Sequence, residues 1–409
     1  MSGRHPVPGD FAAPPSSKRL AEWVEADRAA RPTRVDRIRE RFADAGVDAY
    51  FGVRREHMRY LTGFNLADGE EKVAGDSGRF LISGDAIVVL ADSRYSEQAA
   101  REAPEARIEP SYYALADRWP DLVASIGARR VAVEAAFVSH ALWSRMAAAA
   151  PEVELVPVEG WVETDRATKE PSEIERIGAA SAVGDRALAT LLPRIREGAT
   201  EAGLALELEW LMRTNGAEAL AFDVTCLSGP EAALPHGSPG DRPILDDAVL
   251  LFDFGAQVGG YRSDMTRTLF VGEPTARDLD LYELVARAQR AAIEALESAL
   301  GVDRNGGDLP TGPAIDAVAR DVITEAGRGE QFGHGTGHGI GLATHEAPTL
   351  GRRGEDVPLP SPTVFSVEPG VYLPGETGVR IEDLVAFDAG RRRVERLTRF
   401  PRDVLIVGR

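Results

Sequence analysis

The chain has 409 residues, of which 44% are hydrophobic and 27% charged, and its formal net charge is −18. This is the composition of a soluble globular protein. The length exceeds that of one ordinary core and predicts two domains. The acidic balance argues against nucleic acid or an anionic membrane as a partner, because both require clustered Lys and Arg. No apolar run reaches the roughly 18 residues needed to cross a bilayer. The single cysteine excludes an internal disulfide and favours a reducing, cytoplasmic compartment.

The first half of the chain alternates apolar runs with amphipathic stretches, as an α/β domain does. A short helix is predicted at 18–30, and apolar residues at spacings of three and four predict a second helix that begins near Thr33 and ends before Gly46. Strands are predicted at 49–53, 79–82, 86–90 and 130–133, and further helices at 96–102 and 140–149.

The second half begins after a predicted hinge at 167–172, where Ser172 is a candidate N-cap for the next helix. Helical periodicity then covers 174–188 and 204–212, with later helices predicted at 281–300 and 313–326. Strands lie between and after these helices. The second half is therefore predicted to be α+β rather than a regular βαβ repeat.

A predicted hairpin in the second half contains two aspartates. The strand 249–254 is followed by a glycine-containing turn at 257–260 and by a return strand at 261–271. If the turn is symmetric, Asp253 lies directly opposite Asp264, with Cβ atoms about 4.5–5.5 Å apart. Two carboxylates at that separation repel each other unless cations neutralise them.

A second predicted hairpin repeats this arrangement. The strands 364–372 and 379–387 would place Glu368 opposite Glu382. A single strand carboxylate more often faces solvent, but Asp253 lies between two phenylalanines in an apolar run, where a buried charge needs a partner. The joint pattern therefore favours a metal site, provided that neither strand register slips by one residue.

The histidines support the same interpretation, since all four that follow residue 165 fall in two short motifs. One motif contains His236, and the other, from His334 to Glu346, also contains His338 and His345. The alternating glycines of the second motif disfavour a helix, so we expect an extended segment that brings backbone close to a substrate. Carboxylates combined with an imidazole suit hard or borderline divalent cations.

These motifs together resemble the metallopeptidase family that includes Xaa-Pro aminopeptidases, prolidases and methionine aminopeptidases. Segments 60–64 (YLTGF) and 92–95 (DSRY) are similar to its creatinase-type N-terminal domain. The resemblance implies an α+β protein with a pita-bread catalytic domain at 166–409, preceded by a smaller α/β creatinase-type domain at 31–165 and an N-terminal extension at 1–30. An N-terminal domain of this kind favours the proline-specific branch of the family.

The resemblance also implies an enzyme, either an Xaa-Pro aminopeptidase or an Xaa-Pro dipeptidase, in which a metal-bridging hydroxide attacks the bond before proline. It implies two divalent metal ions, with Mn²⁺ expected and Co²⁺ or Zn²⁺ as alternatives. Glu368 would also carry the proton from the attacking water. The implied metal ligands are Asp253, Asp264, His338, Glu368 and Glu382.

Four further residues have expected roles. His236 and His345 are candidates for stabilising the tetrahedral oxyanion by hydrogen bonds. His334 and Arg380 are expected in the pocket for the proline side of the substrate. Arg380 has an equal alternative as a structural counter-ion to Asp383 or to the glutamate that precedes it.

The expected partner is a small peptide with proline at its second position, and the expected assembly is a homodimer in the cytoplasm, with no nucleic acid and no membrane partner. Three alternatives stay open on the sequence. The first is a non-peptide C–N amidohydrolase that acts on an ectoine- or creatine-type substrate. The second is a non-catalytic binding protein on a peptidase fold, and the third is a structural α/β protein with solvated carboxylates.

Overall fold

The computed structural model describes residues 11–67, 69–70, 74–111, 115–301 and 309–408. Two compact units divide the chain: one comprises Ala21–Asp165, and the other comprises Arg166–Arg409 with the segment that precedes Ala21. Residues 1–10 of the predicted N-terminal extension lie outside the described ranges. Among the helices that the structure describes, none is both long and apolar enough to cross a bilayer.

The N-terminal unit is an α/β structure, as predicted. In its described part, six strands form one mixed sheet in the order β4-β3-β2-β1-β5-β6. Its core buries Phe51, Trp119 and Val133. The elements of this half are α1 (Ser17–Ala45), β1 (Ala49–Gly52), α2 (Arg55–Thr62), β2 (Phe80–Ser83), β3 (Ile87–Ala91), α3 (Ser96–Glu102), β4 (Arg107–Pro110), α4 (Leu115–Ser125), β5 (Arg130–Glu134), α5 (His140–Ala149), β6 (Glu154–Val158) and α6 (Trp161–Ala167).

The helix predicted at 18–30 and the helix predicted from near Thr33 are one continuous helix. It begins at Ser17 and continues through Pro32. A proline inside a helix removes one backbone hydrogen bond, but tertiary burial stabilises the helix on both sides of it, since Trp23 and Ile38 are both buried. The predicted boundary at residue 30 therefore falls inside a helix.

The C-terminal unit combines helices with several small sheets, which agrees with the α+β prediction. The strand orders are β11-β10-β7, β20-β12-β9-β8, β14-β13-β15-β18-β19 and β16-β17. Its elements are α7 (Pro171–Leu191), α8 (Glu201–Thr214), β7 (Ala219–Leu220), β8 (Thr225–Ser228), β9 (Val249–Phe254), β10 (Ala256–Val258), β11 (Tyr261–Arg262), β12 (Met265–Val271), α9 (Ala276–Ala299), α10 (Gly312–Glu325), β13 (Gly337–Gly339), β14 (Glu346–Leu350), β15 (Thr363–Val367), β16 (Gly370–Leu373), β17 (Thr377–Arg380), β18 (Asp383–Asp388), β19 (Arg393–Arg396) and β20 (Ile406–Val407).

The start of α7 differs by two residues from the prediction. Glu170, not Ser172, is the N-cap residue, and it forms a capping box with Glu173. The Glu173 carboxylate accepts a hydrogen bond of 2.7 Å from the Glu170 backbone N–H. Pro171 occupies the first helical position, where its missing N–H has no intrahelical partner to lose.

One apolar core supports the strands of the C-terminal unit. It packs α9 and α10 against the sheets and includes Val285, Ile315, Phe365 and Val385. Two strands that contact α9, β15 and β17, lead directly into the segments that carry Glu368 and Glu382, so the core fixes where these two segments lie.

The first hairpin has a different register from the predicted one. Asp253 pairs with Thr266, not with Asp264. The turn is centred on Gly259 and Gly260, whose φ angles are +57° and +80°. Positive φ at both central residues defines a two-residue type I′ turn, which displaces the pairing by two positions.

The second hairpin has the predicted register. Val367 pairs with Asp383 in one ladder, and Gly370 pairs with Arg380 in the next. The segment that contains Glu368 and the segment that contains Glu382 connect these two ladders. The two glutamates therefore lie side by side where the hairpin passes from one small sheet to another.

Candidate metal centre

Three candidate ligands converge from segments that are distant in sequence. Asp264 lies between β11 and β12, His338 is the central residue of β13, and Glu382 lies between β17 and β18. One ligand atom from each of them lies within 4.8 Å of the others. Backbone hydrogen bonds hold these segments together, including one of 3.1 Å from the Glu382 N–H to the Thr266 carbonyl.

The other two candidate ligands border the same cavity. Its volume is about 480 Å³, and all five candidate ligands line it. Glu368 approaches His338, with 3.3 Å between Oε1 and Nε2. Asp253 is turned towards Arg380, whose Nη2 lies 2.6 Å from its Oδ2. The predicted five-residue set thus surrounds one cavity, although Asp253 reaches it by a register other than the expected one.

Three carboxylate oxygens of this set suit a cation. Oδ1 of Asp253, Oδ1 of Asp264 and Oε1 of Glu382 are buried and have no hydrogen-bond partner among the described residues. An unpaired buried carboxylate oxygen is costly, and a hard divalent ion is its usual partner in proteins. The residues present therefore fit a divalent metal, and the donor set of carboxylates and one imidazole suits Mn²⁺ and related ions.

The electrostatics of the cluster lead to the same conclusion. Burial raises the pKa of Asp264 well above its usual range, and Glu382, Asp253 and Glu368 raise it further. Burial also raises the pKa of Glu382, again with repulsion from neighbouring carboxylates. Like charges confined in a low-dielectric site repel strongly. A bound cation would remove this repulsion, whereas a solvated group of surface carboxylates would not show it.

Arg380, Tyr372 and His334 form a chain of hydrogen bonds along one wall of the cavity. Arg380 Nη1 donates to the Tyr372 hydroxyl at 2.9 Å, and that hydroxyl lies 2.8 Å from His334 Nε2. His334 Nδ1 lies 2.8 Å from the Gly335 carbonyl, which can only accept. The imidazole therefore carries its proton on Nδ1 and accepts from Tyr372 at Nε2. Burial lowers the pKa of His334, which agrees with a neutral ring.

Arg380 acts as a counter-ion, although its direct partner is a carboxylate other than the two considered; its positive charge opposes the rise in the pKa of Glu382. Its carboxylate partner is Asp253, and its Nε donates to Thr266 Oγ1 at 2.9 Å. Asp383 is paired instead with Arg267, at 2.7 Å. The reason is the strand pairing: β17 crosses β9 and β12, so Arg380 faces the first hairpin and not its own neighbours along the chain.

His236 and His345 lie on the open side of the cavity. Both line it, and both are exposed. The His345 ring lies 4.2 Å from the His338 ring, measured between centroids. Partial burial lowers the pKa of His345, and the adjacent His338 lowers it further. The two histidines are therefore placed where they could meet a substrate that enters from solvent.

The glycine-rich segment is extended at Gly337–Gly339, as expected. Its glycines also permit close approach between strands. A Cβ on Gly337 would lie 1.9 Å from the Ser366 carbonyl oxygen, and one on Gly339 would lie 2.1 Å from the Ala347 carbonyl oxygen. Only glycine allows β13 to pass its neighbours this closely.

Several polar residues of the site were not predicted. Thr266 donates to Glu382 Oε2 at 2.8 Å, Ser366 donates to Glu368 Oε1 at 3.0 Å, and Tyr372 joins His334 to Arg380. Thr266 and Ser366 each lie two residues from a candidate ligand along an extended strand, so alternation would place them on the ligand's face. That signal was present in the sequence, whereas no local pattern indicates Tyr372.

Comparison with known proteins identifies the family. Residues 175–389 match the model of metallopeptidase family M24, and residues 34–168 match the creatinase/prolidase N-terminal domain. The chain belongs to metallopeptidase family M24, with a creatinase-type N-terminal domain, and is therefore an enzyme. The predicted fold class, an N-terminal creatinase-type domain followed by a pita-bread catalytic domain, is confirmed.

Individual relatives extend this result along nearly the whole chain. An Xaa-Pro dipeptidase of Pyrococcus horikoshii is 30% identical over 372 residues, covering 91% of this chain and 98% of that protein. A solved Xaa-Pro dipeptidase from Bacillus anthracis has a TM-score of 0.81 and 34% identity, covering 92% of this chain and 99% of that one. A solved X-Pro aminopeptidase from Thermotoga maritima has a TM-score of 0.76 and 34% identity, covering 88% and 98%.

Proposed function

We propose that this enzyme hydrolyses the peptide bond between an N-terminal residue and a following proline in a small peptide. The observation that carries the proposal is the cavity of about 480 Å³ that the five candidate metal ligands line. That volume lies in the range of about 300–1,000 Å³ typical of small-ligand pockets. Relatives of this fold that match almost end to end are Xaa-Pro dipeptidases and an X-Pro aminopeptidase.

We further propose that two divalent cations, Mn²⁺ in the first place, are held by the five candidate ligands. Such a pair would lower the pKa of the attacking water and polarise the scissile carbonyl. The buried, unpartnered oxygens of Asp253, Asp264 and Glu382 support this assignment. The homodimer and the cytoplasmic location remain predictions from the sequence.

The side chains of the cavity would divide the remaining work. Glu368 takes a proton from the attacking water on its carboxylate and transfers it to the proline nitrogen, which has no N–H and must be protonated before it leaves. Glu368 suits this role because its carboxylate borders the cavity beside the other candidate ligands. His236 and His345, on the solvent side, donate hydrogen bonds to the developing oxyanion.

His334 and Arg380 would shape the proline side of the cavity. Both nitrogens of His334 are engaged by Tyr372 and Gly335, so this residue offers its ring surface and not a free donor. Arg380 retains a positive charge beside Asp253. That charge would attract the C-terminal carboxylate of the proline residue in a dipeptide.

The test is hydrolysis of Ala-Pro and Ala-Pro-Ala by metal-stripped protein, with and without added Mn²⁺. Restoration of cleavage by metal supports the proposal, and the preferred peptide length distinguishes a dipeptidase from an aminopeptidase. Asp264→Asn should lower bound metal, measured by elemental analysis, and reduce kcat/KM by more than about 100-fold. Glu376→Gln is the matched control, because Glu376 is an exposed carboxylate at the tip of the second hairpin, with 57% of its side chain accessible.

Failure has a defined meaning. If two metal ions bind and neither peptide is cleaved, the proline-specific peptidase is rejected, and the amidohydrolase alternative replaces it. If no metal binds to the folded protein, the assignment of all five ligands is rejected.

A further inference from the structure

A second cavity of the C-terminal unit, of about 340 Å³, is lined by arginines. Arg290 on α9, Arg396 at the end of β19 and Arg402 after it contribute their side chains, and Gln289 and Asp403 complete the polar lining. None of these residues borders the cavity of the metal centre. We refer to this space as the arginine cavity.

The arginine cavity carries an excess of positive charge. Beneath it lies Asp383, a fully buried carboxylate that is already paired with Arg267 at 2.7 Å. Arg396 and Arg402 each lie 3.7 Å from Asp383 Oδ2, beyond hydrogen-bonding distance. One carboxylate therefore faces three guanidinium groups. Burial lowers the pKa of Arg396; Asp383 raises it, and the neighbouring arginines lower it further.

The lining side chains leave a surplus of positive charge, counted with Asp383 neutralised by its partner Arg267. Arg290, Arg396 and Arg402 contribute three positive charges, and Asp403 contributes one negative charge. The whole chain has a formal charge of −18. A cavity lined by three arginines therefore has the opposite sign of charge from the protein as a whole. Guanidinium groups present paired N–H donors whose geometry matches phosphate and carboxylate oxygens.

A hydrogen-bonded path connects the arginine cavity to the metal centre. Arg402 Nη1 donates to Gln289 Oε1 at 3.3 Å. The buried Gln289 amide nitrogen lies 3.1 Å from Asp383 Oδ2, and it also contacts the carbonyls of Val367, at 3.2 Å, and Ile381, at 3.3 Å. These two residues directly precede the two candidate metal-ligating glutamates. Gln289 therefore ties together the two strand ends from which the glutamates project.

We propose that the arginine cavity binds a small phosphorylated metabolite, and that its occupancy alters metal binding through Gln289. A phosphate monoester matches the surplus positive charge, and the cavity has room for an organic body beside the phosphate. A bound dianion attracts Arg396 away from Asp383, and it attracts Arg402 away from both Asp383 and Gln289. The hydrogen bonds that Gln289 makes with the two glutamate-bearing strands then change, and the glutamates move with them.

The binding test uses the full chain, metal-free and Mn²⁺-loaded, titrated calorimetrically with sulfate, inorganic phosphate and AMP at constant ionic strength in chloride. We expect one saturable site per chain, with AMP bound more tightly than inorganic phosphate. The double variant Arg396→Gln/Arg402→Gln should weaken binding at least tenfold. Arg393→Gln is the matched control, because Arg393 lies on the same strand but is 61% exposed and outside the cavity.

Each result decides the binding proposal. Equal binding by wild type and double variant, or absence of saturable binding by wild type, overturns it. Preference for inorganic phosphate over AMP assigns the site to the free oxyanion and overturns the metabolite. If the double variant does not fold, judged by its unfolding midpoint, the single variant Arg396→Gln must show the weakened binding. These measurements do not depend on peptide hydrolysis, so they stand or fail separately from the proposed peptidase activity.

The coupling test measures Mn²⁺ affinity with and without saturating sulfate, chosen because it is a weak ligand for Mn²⁺. We expect at least a threefold change in the Mn²⁺ dissociation constant of wild type and of Arg393→Gln, and none in the double variant. A change that persists in the double variant means that sulfate acts at the metal centre itself. Sulfate binding without any change in Mn²⁺ affinity overturns the proposed coupling but still supports the anion-binding site.

Discussion

Glu346 is the residue whose replacement tests the electrostatic reasoning most directly. Its side chain is 5% exposed and lies between Arg166 and Lys169, whose side chains are 2% and 0% exposed. Lys169 Nζ lies 2.7 Å from Glu346 Oε1, and Arg166 bonds the other oxygen. Burial alone would raise the pKa of Glu346, but the two cations lower it below the usual range.

Glu346→Gln should therefore destabilise the metal-free protein severely. The amide keeps the shape of the side chain but removes its charge, so two buried cations are left facing a neutral group. Removing one partner of a buried ion pair costs about 3–5 kcal/mol, because the remaining charge is uncompensated. The free energy of unfolding should fall by that amount in urea titrations at pH 7. Lys169→Met should cost less, since Glu346 would still be paired with Arg166.

Glu395→Gln is the control for this experiment. Glu395 also contacts two arginines, Arg393 and Arg399, but their side chains are 61% and 57% exposed. Exposed pairs are worth about 0–1 kcal/mol, so this variant should unfold close to the wild-type midpoint. If Glu346→Gln and Glu395→Gln cost the same within about 1 kcal/mol, the inference that burial sets the size of the effect is wrong.

Three further outcomes are expected. Burial raises the pKa of Asp185 from 3.8 to about 6, so up to about 3 kcal/mol of stability should be lost as the pH rises from about 4 to about 6. Between pH 4 and 7.5, the unfolding free energy of the wild type should fall relative to that of Asp185→Asn by about 2–3 kcal/mol, and a constant difference would contradict this. Gly339→Ala places a Cβ 2.1 Å from a backbone oxygen, so the free energy of unfolding measured in urea should fall by about 1–3 kcal/mol. Gly333→Ala is the control, because its Cβ would have nothing within 4 Å, and it should leave the stability nearly unchanged. Tyr372→Phe leaves His334 Nε2 without its donor and should cost about 1–3 kcal/mol; unchanged stability would mean that another group satisfies the ring.

The hairpins show how far local patterns determine the site. The second hairpin has its predicted register because the symmetric turn assumed for it is the turn that forms. The first is displaced by two positions, since Gly259 and Gly260 both adopt positive φ. A displacement by an even number preserves the face of every strand residue. Asp253 therefore still points to the predicted side, although its direct partner is Thr266.

The supporting contacts could not be predicted in the same way. Arg166 and Glu346 are 180 positions apart, and Arg380 and Asp253 are 127 apart. Each arginine has many carboxylates within the chain as possible partners, and only the packing of separate sheets selects one. Local periodicity carries no information about that selection, so the candidate ligands were found while the residues that orient them were not.

The wide separation of the five candidate ligands along the sequence has a consequence for the lifetime of the protein. The unfolded chain holds these side chains far apart, so an ion that needs all of them binds only the folded state. By mass action, a ligand present at about 1,000 times its dissociation constant adds about 4 kcal/mol to the free energy of unfolding. The supply of metal would then determine how much folded enzyme persists, as well as how fast each molecule works.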